Sequence, residues 1–229
     1  FMKVKEYAGD KKEYNYDRNF LHKILGNANA HFAQMIRARG ANAQVNSACS
    51  SATMAVGMAE DWIRTGRCDR VLIIGCDNNT TPLTFPVIGA GFLAVGAATV
   101  KKIISEAALP FDANRNGMIV GAAAVGLVVE RQDLVKERGF KGQAEVLGTL
   151  IKNSAFHATR LDVNHVASEM KKFVDRVEYV HGLSKKDYTS KMVFMSHETH
   201  TPAKGGSADA EVTALKTAFP EDYRKIVIT

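Results

Sequence analysis

The chain has 229 residues, 46% hydrophobic and 24% charged, an ordinary globular composition that can bury a real core. Its net charge is +6, but the basic residues are scattered and no RNP motif, zinc-finger spacing or single basic helix occurs, which argues against nucleic-acid binding. Three cysteines, Cys49, Cys68 and Cys76, with no CxxC spacing, argue against a disulfide framework and for a reducing compartment.

The N-terminal stretch FMKVKEYAGDKKEY is charged and lacks the apolar stretch of a secretory signal, and no run of 18 apolar residues predicts a membrane-spanning helix. Residues 18–39 carry helical material that Gly40 is expected to end. NAQVNSA (42–48) reads as a short strand. Downstream of Cys49, apolar residues fall at Ala52, Ala55, Val56, Ala59, Trp62 and Ile63, the spacing of a helix with one packed face, with Gly66 as its stop. RVLIIGCD (70–77) is a near-continuous apolar run of the kind found in buried strands. Strand, helix and strand at this spacing predict a βαβ unit with a right-handed crossover.

GMIVGAAAVGLVVE (117–130) reads as two strands and AEVLGTLIKNSA (144–155) as another. Residues 163–178 read as a helix, KMVFMS (191–196) as a strand, ADAEVTALKTAF (208–219) as a helix and KIVIT (225–229) as a final strand. Such alternation predicts an α/β fold with a layered sheet.

Cys49 stands where a strand meets a helix. A helix N-terminus carries free N–H groups and a partial positive charge. It stabilises a thiolate, which makes a cysteine a nucleophile, and its amides can hold an oxyanion. Ala48, Ser50, Ser51 and Ala52 are small enough to let a thioester approach. The competing reading is a small buried hydrophobe; Cys68 and Cys76 are read as structural. A nucleophilic cysteine needs a partner, usually histidine. His197 and His200 lie in SHETHTPAKGGSADAE, directly after a strand, where loops carry function. HETH is one residue short of the HExxH zinc signature and runs into Thr-Pro rather than a helix, so no metal site is expected.

Three segments carry a family resemblance. VNSACSSATMAVGMAEDWIRTGRCDRVLIIGCD resembles the active-site segment of β-ketoacyl synthases. LPFDANRNGMIVGAAAVGLVVE resembles their PFD-x-x-R-x-G segment, and SHETHTPAKGGSADAE their H-G-T-G-T-P motif. The order matches the family's, and the wording is similar to ketosynthase domains of multidomain polyketide or polyunsaturated-fatty-acid synthases.

The resemblance implies a thiolase-like, layered αβαβα fold, usually a cytoplasmic homodimer, that performs decarboxylative Claisen condensation. By motif position Cys49 would accept the acyl chain as a thioester. His197 would help decarboxylate the malonyl unit or stabilise its enolate. Thr199 and Thr201 match the threonines that contact the pantetheine arm, His200 is expected to line the entrance and meet its phosphate, and Glu211 matches a structural acidic residue. The implied partner is an acyl carrier protein, with no tightly bound cofactor and with phosphopantetheine or CoA as the carrier of substrate. Glu198 and His200 replace small motif residues, which is expected to crowd or recharge the pantetheine path. Residues 1–229 read as the central part of one ketosynthase domain, the family's later lysine and second histidine falling beyond Thr229. The alternative from another class is a non-catalytic ketosynthase-like module that dimerises or sets chain length.

Overall fold

The computed structural model describes residues 27–82, 84–156, 160–202 and 206–229. Helix α1, Ala28–Ile36, ends on Arg37 in the left-handed region (φ 56°), three residues before the expected Gly40 stop; its expected beginning, 18–26, lies outside the described residues. Helix α2, Ser51–Arg64, follows its apolar periodicity, with Gly57 and Ala59 buried, and Gly66 (φ 70°) turns the chain after it. Gly57 has a packing reason: a Cβ there would meet Ile151 Cδ1 at 3.0 Å and Thr149 Oγ1 at 3.3 Å, so only a bare backbone admits the 149–151 segment this closely.

Strand β1, Arg70–Asn78, pairs antiparallel with β2, Ala122–Glu130, in register from Arg70↔Glu130 to Asn78↔Ala122. A π-helical turn (Phe85–Gly89) and short helices α3 (Ala90–Ala94) and α4 (Ile104–Ala107) fill the connection, and α5 (Gln132–Glu137) follows β2. The 117–130 run is therefore one strand preceded by an isolated bridge, Ala98↔Met118, and not two strands. Helix α6, Val163–His181, runs three residues past its expected end to Gly182 in the left-handed conformation, and Asp162 caps its start by accepting from the His165 N–H. Helix α7 (Lys185–Tyr188) leads to β3 (Val193–Phe194), and α8 (Ser207–Ala218) connects it to β4 (Val227–Ile228). Strands β3 and β4 are parallel, Val193↔Val227 and Phe194↔Ile228, so β3–α8–β4 is a βαβ unit.

Two expected strands are absent among the described residues. Residues 42–48 reach only an isolated Ser47↔Cys49 bridge, so the first expected βαβ unit does not close among the described residues. Residues 144–155 make no ladder either. A strand exists only with a neighbour to take its alternating N–H and C=O groups. The 144–155 segment is instead tied to helices: Thr149 Oγ1 donates to Glu60 Oε2 of α2 (2.5 Å), and His181 Nε2 of α6 lies 2.7 Å from the Leu147 carbonyl.

The best closed core lies in the C-terminal half. Leu215, Ala218, Phe219 and Ile226 are buried together, and Met170, Val174, Tyr188, Met192, Phe194 and Tyr223 pack against them. The Tyr188 ring meets Phe219 edge-on, with centroids 6.2 Å apart. Burial, followed by a hydrogen bond to Glu178, raises the Tyr188 hydroxyl well above the usual tyrosine range.

Candidate active site

Cys49 is exposed and stands two residues before α2, with Ser50 as the N-cap. The turn is tied by serines. Ser51 Oγ accepts from the Ser47 N–H (2.8 Å) and donates to the Ala48 carbonyl (2.6 Å). Ser50 Oγ donates to the Ser47 carbonyl (2.7 Å) and lies 2.8 Å from Ser47 Oγ. These bonds hold Ala48 at φ 47°, a conformation that costs a residue with a Cβ of the order of 1 kcal/mol or more. The serines thus do more than leave room: they clamp a sharp elbow that carries the thiol at its tip. The Ser50 and Ser51 N–H groups donate to the Ser47 and Ala48 carbonyls (3.1 Å each) and Ser50 makes no side-chain cap bond, so the first-turn amides left to bind an anion are those of Ala52 and Thr53. Helix α2 lies on β1, where a Cβ on Gly75 would stand 3.3 Å from the Ala52 Cβ. Exposure does not separate Cys49 from Cys76, which is also exposed on β1, whereas Cys68 is half-buried; what sets Cys49 apart is the elbow.

His197 is exposed at the end of β3. Glu211 of α8 holds its backbone: Oε1 accepts from the His197 N–H and Oε2 from Ser196 Oγ, both at 2.6 Å. Glu211 thus has the structural place expected of it.

The 198–201 loop that follows is a dense polar knot. The Glu198 side chain is 2% exposed and points inward. Its Oε2 accepts from Ser207 Oγ at 2.6 Å, its Oε1 accepts from the His200 N–H at 3.1 Å, and Arg115 Nε lies 3.7 Å from Oε1. Ser207 Oγ accepts from the Thr199 N–H (3.1 Å) and lies 3.2 Å from Thr199 Oγ1, which is 3.1 Å from Thr201 Oγ1. The expected crowding by Glu198 is met by turning the carboxylate into the protein. His200 adopts φ 58°, which accounts for a small residue in the resembling motif, and histidine is one of the side chains that tolerates this region best. Its Nδ1 is buried without a hydrogen-bond partner among the described residues.

Arg115, the arginine of the PFD-type segment, clamps this loop. Its Nε donates to the Thr201 carbonyl (2.9 Å) and its Nη1 to the Asp112 carbonyl (3.0 Å), while the Gly117 N–H donates to the His200 carbonyl (2.7 Å). A side chain at Gly117 (φ 128°) is barred, because a Cβ would lie 2.6 Å from the backbone of Ala98 and Thr99. Arg115 was absent from the sequence-based site; its signal was the arginine in the segment ANRNG. Among the described residues, left-handed non-glycine residues occur once in each of the three resembling segments, at Ala48, Phe111 and His200. Thr199, Thr201, His200 and Arg115 are therefore assembled directly. Cys49 and His197 are linked only through the scaffold: no hydrogen bond joins them among the described residues, and the 115–117 segment that grips the 198–201 loop runs on into β2, beside α2.

Comparison with known proteins gives this arrangement its family. Residues 4–134 match the β-ketoacyl synthase N-terminal domain, and the chain belongs to the β-ketoacyl synthase family. It is 33% identical over 125 residues to the tetracenomycin polyketide synthase ketoacyl synthase alpha subunit of Streptomyces glaucescens, covering 54% of this chain and 28% of that protein. It is 30% identical over 207 residues to the mitochondrial 3-oxoacyl-[acyl-carrier-protein] synthase of Arabidopsis thaliana, covering 88% of this chain and 42% of that one. The chain thus spans less than half the length of these curated relatives. A type II polyketide synthase ketosynthase, solved in complex with its acyl-carrier protein, superposes with a TM-score of 0.74 at 23% identity, covering 93% of this chain and 50% of that one. The fold is the thiolase-like α/β fold of ketosynthases. Among the described residues no helix is long and apolar enough to cross a membrane.

Proposed function

We propose that this protein is a β-ketoacyl synthase that elongates an acyl thioester by decarboxylative condensation, in polyketide or fatty-acid synthesis. The observation that carries the reading is the exposed Cys49 on a serine-clamped elbow at the head of α2, in a chain of this family. The Cys49 thiolate attacks the carbonyl of an acyl carrier thioester, the carrier thiol leaves, and the acyl group rests on Cys49. The amides at the head of α2 supply donors for the tetrahedral oxyanion. A malonyl carrier thioester then loses carbon dioxide. The enolate carbon attacks the Cys49 thioester carbon, and the bond to sulfur breaks to return the thiolate. His197 takes the role of hydrogen-bond donor to the malonyl thioester oxygen as enolate charge develops. Thr199, Thr201 and His200 hold the pantetheine arm. An acyl carrier protein is the proposed partner, in keeping with the complex formed by the structurally similar ketosynthase; a homodimer in the cytoplasm is the proposed setting.

The test is intact-mass analysis after incubation with acyl-CoA or acyl carrier protein, followed by peptide mapping. One acyl group on Cys49 is the expected result. Label recovered mainly on Cys76 refutes the assignment, and a protein that takes no acyl group is the non-catalytic module instead.

A further inference from the structure

We infer that Glu198 is a positioning residue: it fixes the proton order of the Thr201–Thr199–Ser207 hydroxyl chain, so that the two threonines face the carrier arm as hydrogen-bond acceptors for an amide N–H. The inference rests on the acyl-transfer reading above, and concerns only how the arm is recognised.

The order follows from counting protons. A carboxylate accepts and does not donate. Glu198 Oε2, 2.6 Å from Ser207 Oγ, therefore takes the single Ser207 hydroxyl proton. With that proton committed, Ser207 Oγ can only accept along the chain, and it does so from the Thr199 N–H at 3.1 Å. The 3.2 Å contact between Thr199 Oγ1 and Ser207 Oγ then requires the Thr199 hydroxyl to donate. Its proton is now used, so the 3.1 Å contact with Thr201 Oγ1 requires Thr201 to donate to Thr199. Every hydroxyl proton runs inward toward Glu198, and Thr201 and Thr199 have only lone pairs left to offer a ligand. The anchor is firm. Glu198 is 2% exposed, its Oε1 takes the His200 N–H, and Arg115 stands beside it at 15% exposure. A pantetheine arm carries two amides, each with one N–H. Oriented lone pairs select that N–H over the amide carbonyl.

Glu198→Gln is the discriminating variant. Its carbonyl can keep the Oε1 contacts with two donors, His200 N–H and Arg115, which leaves the amide NH2 facing Ser207 Oγ. Ser207 must then donate to Thr199, Thr199 to Thr201, and Thr201 outward, so the whole chain reverses. The probes are an acyl pantetheine thioester and two analogues in which one or the other amide N–H is replaced by an ester oxygen. The readout is kcat/KM for acyl transfer to Cys49, followed by intact mass. For the wild type, one ester analogue is expected to fall about five- to tenfold, mostly in KM, the worth of one neutral hydrogen bond. In Glu198→Gln the parent thioester is expected to fall by a similar factor, and the parent-to-ester ratio to collapse to about one. Ser207→Ala breaks the chain while leaving the Glu198 carboxylate in place with its His200 and Arg115 contacts, is expected to collapse the same ratio, and decides the matter if Glu198→Gln does not fold. A merely structural Glu198 lowers all three probes together and preserves the ratio; that result, or a wild type indifferent to both ester analogues, overturns the inference. A wild type that transfers nothing to Cys49 from any probe refutes the acyl-transfer reading itself, and this inference with it.

Discussion

The two halves of the molecule solve the burial problem differently. In the C-terminal half, α6 and α8 close on Leu215, Phe219 and Ile226, with β3 and β4 beneath them. In the N-terminal half, the β1–β2 ladder is covered on one face. Ile73 is 5% exposed under α2, while its neighbours Leu72 and Ile74, which point to the other face, are 42% and 48% exposed. On β2, Val128, paired with Leu72, is 61% exposed on that open face, while Val125 and Leu127, paired with Gly75 and Ile73, are exposed on the α2 side, so α2 covers β1 but not β2. A strand whose apolar residues do not alternate is written for cover on both faces. The C-terminal half thus supplies stability from its own residues. The N-terminal half carries the Cys49 elbow on a sheet whose second face asks for a covering layer.

The sharpest way to separate the two roles is to remove chemistry without removing packing. Cys49→Ala deletes an exposed thiol and is expected to abolish acylation by intact mass while leaving the thermal midpoint within a degree or two of wild type, since surface changes cost about 0.5 kcal/mol or less. Loss of the fold in this variant breaks the division of labour. The converse is Phe219→Ala. Phe219 is 2% exposed at the centre of the α6–α8 core, so truncation is expected to cost about 3–5 kcal/mol in urea unfolding. Between these lies Leu72→Ala. On the bare face of β1 it is expected to cost about 0.5–1 kcal/mol, whereas a loss of about 2–5 kcal/mol, the value for a buried leucine, would show that a second layer covers β1 in the folded protein.

Reading the residues in order recovered what is local and missed what is distant. The helices of residues 51–64, 163–181 and 207–218 were legible because their apolar spacing repeats within each segment. The strands expected at 42–48 and 144–155 failed because pairing is a property of two segments, and no ladder partner faces either among the described residues. Helix α1 stopped early at Arg37, a left-handed residue with no glycine to advertise it. At the site, the thiol at a strand–helix junction was legible from the small residues around it. The serine clamp was not, since serines read equally well as mere absence of bulk. Arg115 acts on a loop 86 residues away, and the inward turn of Glu198 depends on that arginine and on Ser207. Arg115 has a motif spacing that marks the residue but not the loop it grips, and neither the serine clamp nor the inward turn of Glu198 has a period or a spacing to find.

The smallest expected effect tests whether the β1–β2 ladder also holds itself by charge. Glu130 ends β2 with its side chain only 9% exposed; Arg70 of β1 reaches its Oε1 at 2.5 Å, and Arg138 reaches both oxygens at 2.8 Å. The Arg70 hydrogen bond, helped by Arg138, holds the Glu130 carboxyl below the usual glutamate range. A carboxyl whose folded-state affinity for protons is lowered stabilises the fold above its unfolded value, about pH 4.3, and loses that contribution as pH falls through the lower folded value. Stability against urea is therefore expected to drop from about pH 5 downward. Asp175 on α6 is lowered in the same sense, by Lys171 first and then Lys185, so the wild-type curve reports both halves. Glu130→Gln isolates the ladder. It removes the titration but leaves Arg70 and Arg138 at β2, so the urea midpoint should be lower at neutral pH and its acid slope shallower. At low pH, where Glu130 is already protonated, wild type and variant should converge. Parallel curves for the two proteins from pH 7 to pH 3 would mean that the acid dependence belongs to other carboxylates, Asp175 and the Arg131-bound Asp133 among them, and that the N-terminal ladder stands without help from the Glu130 ion pairs.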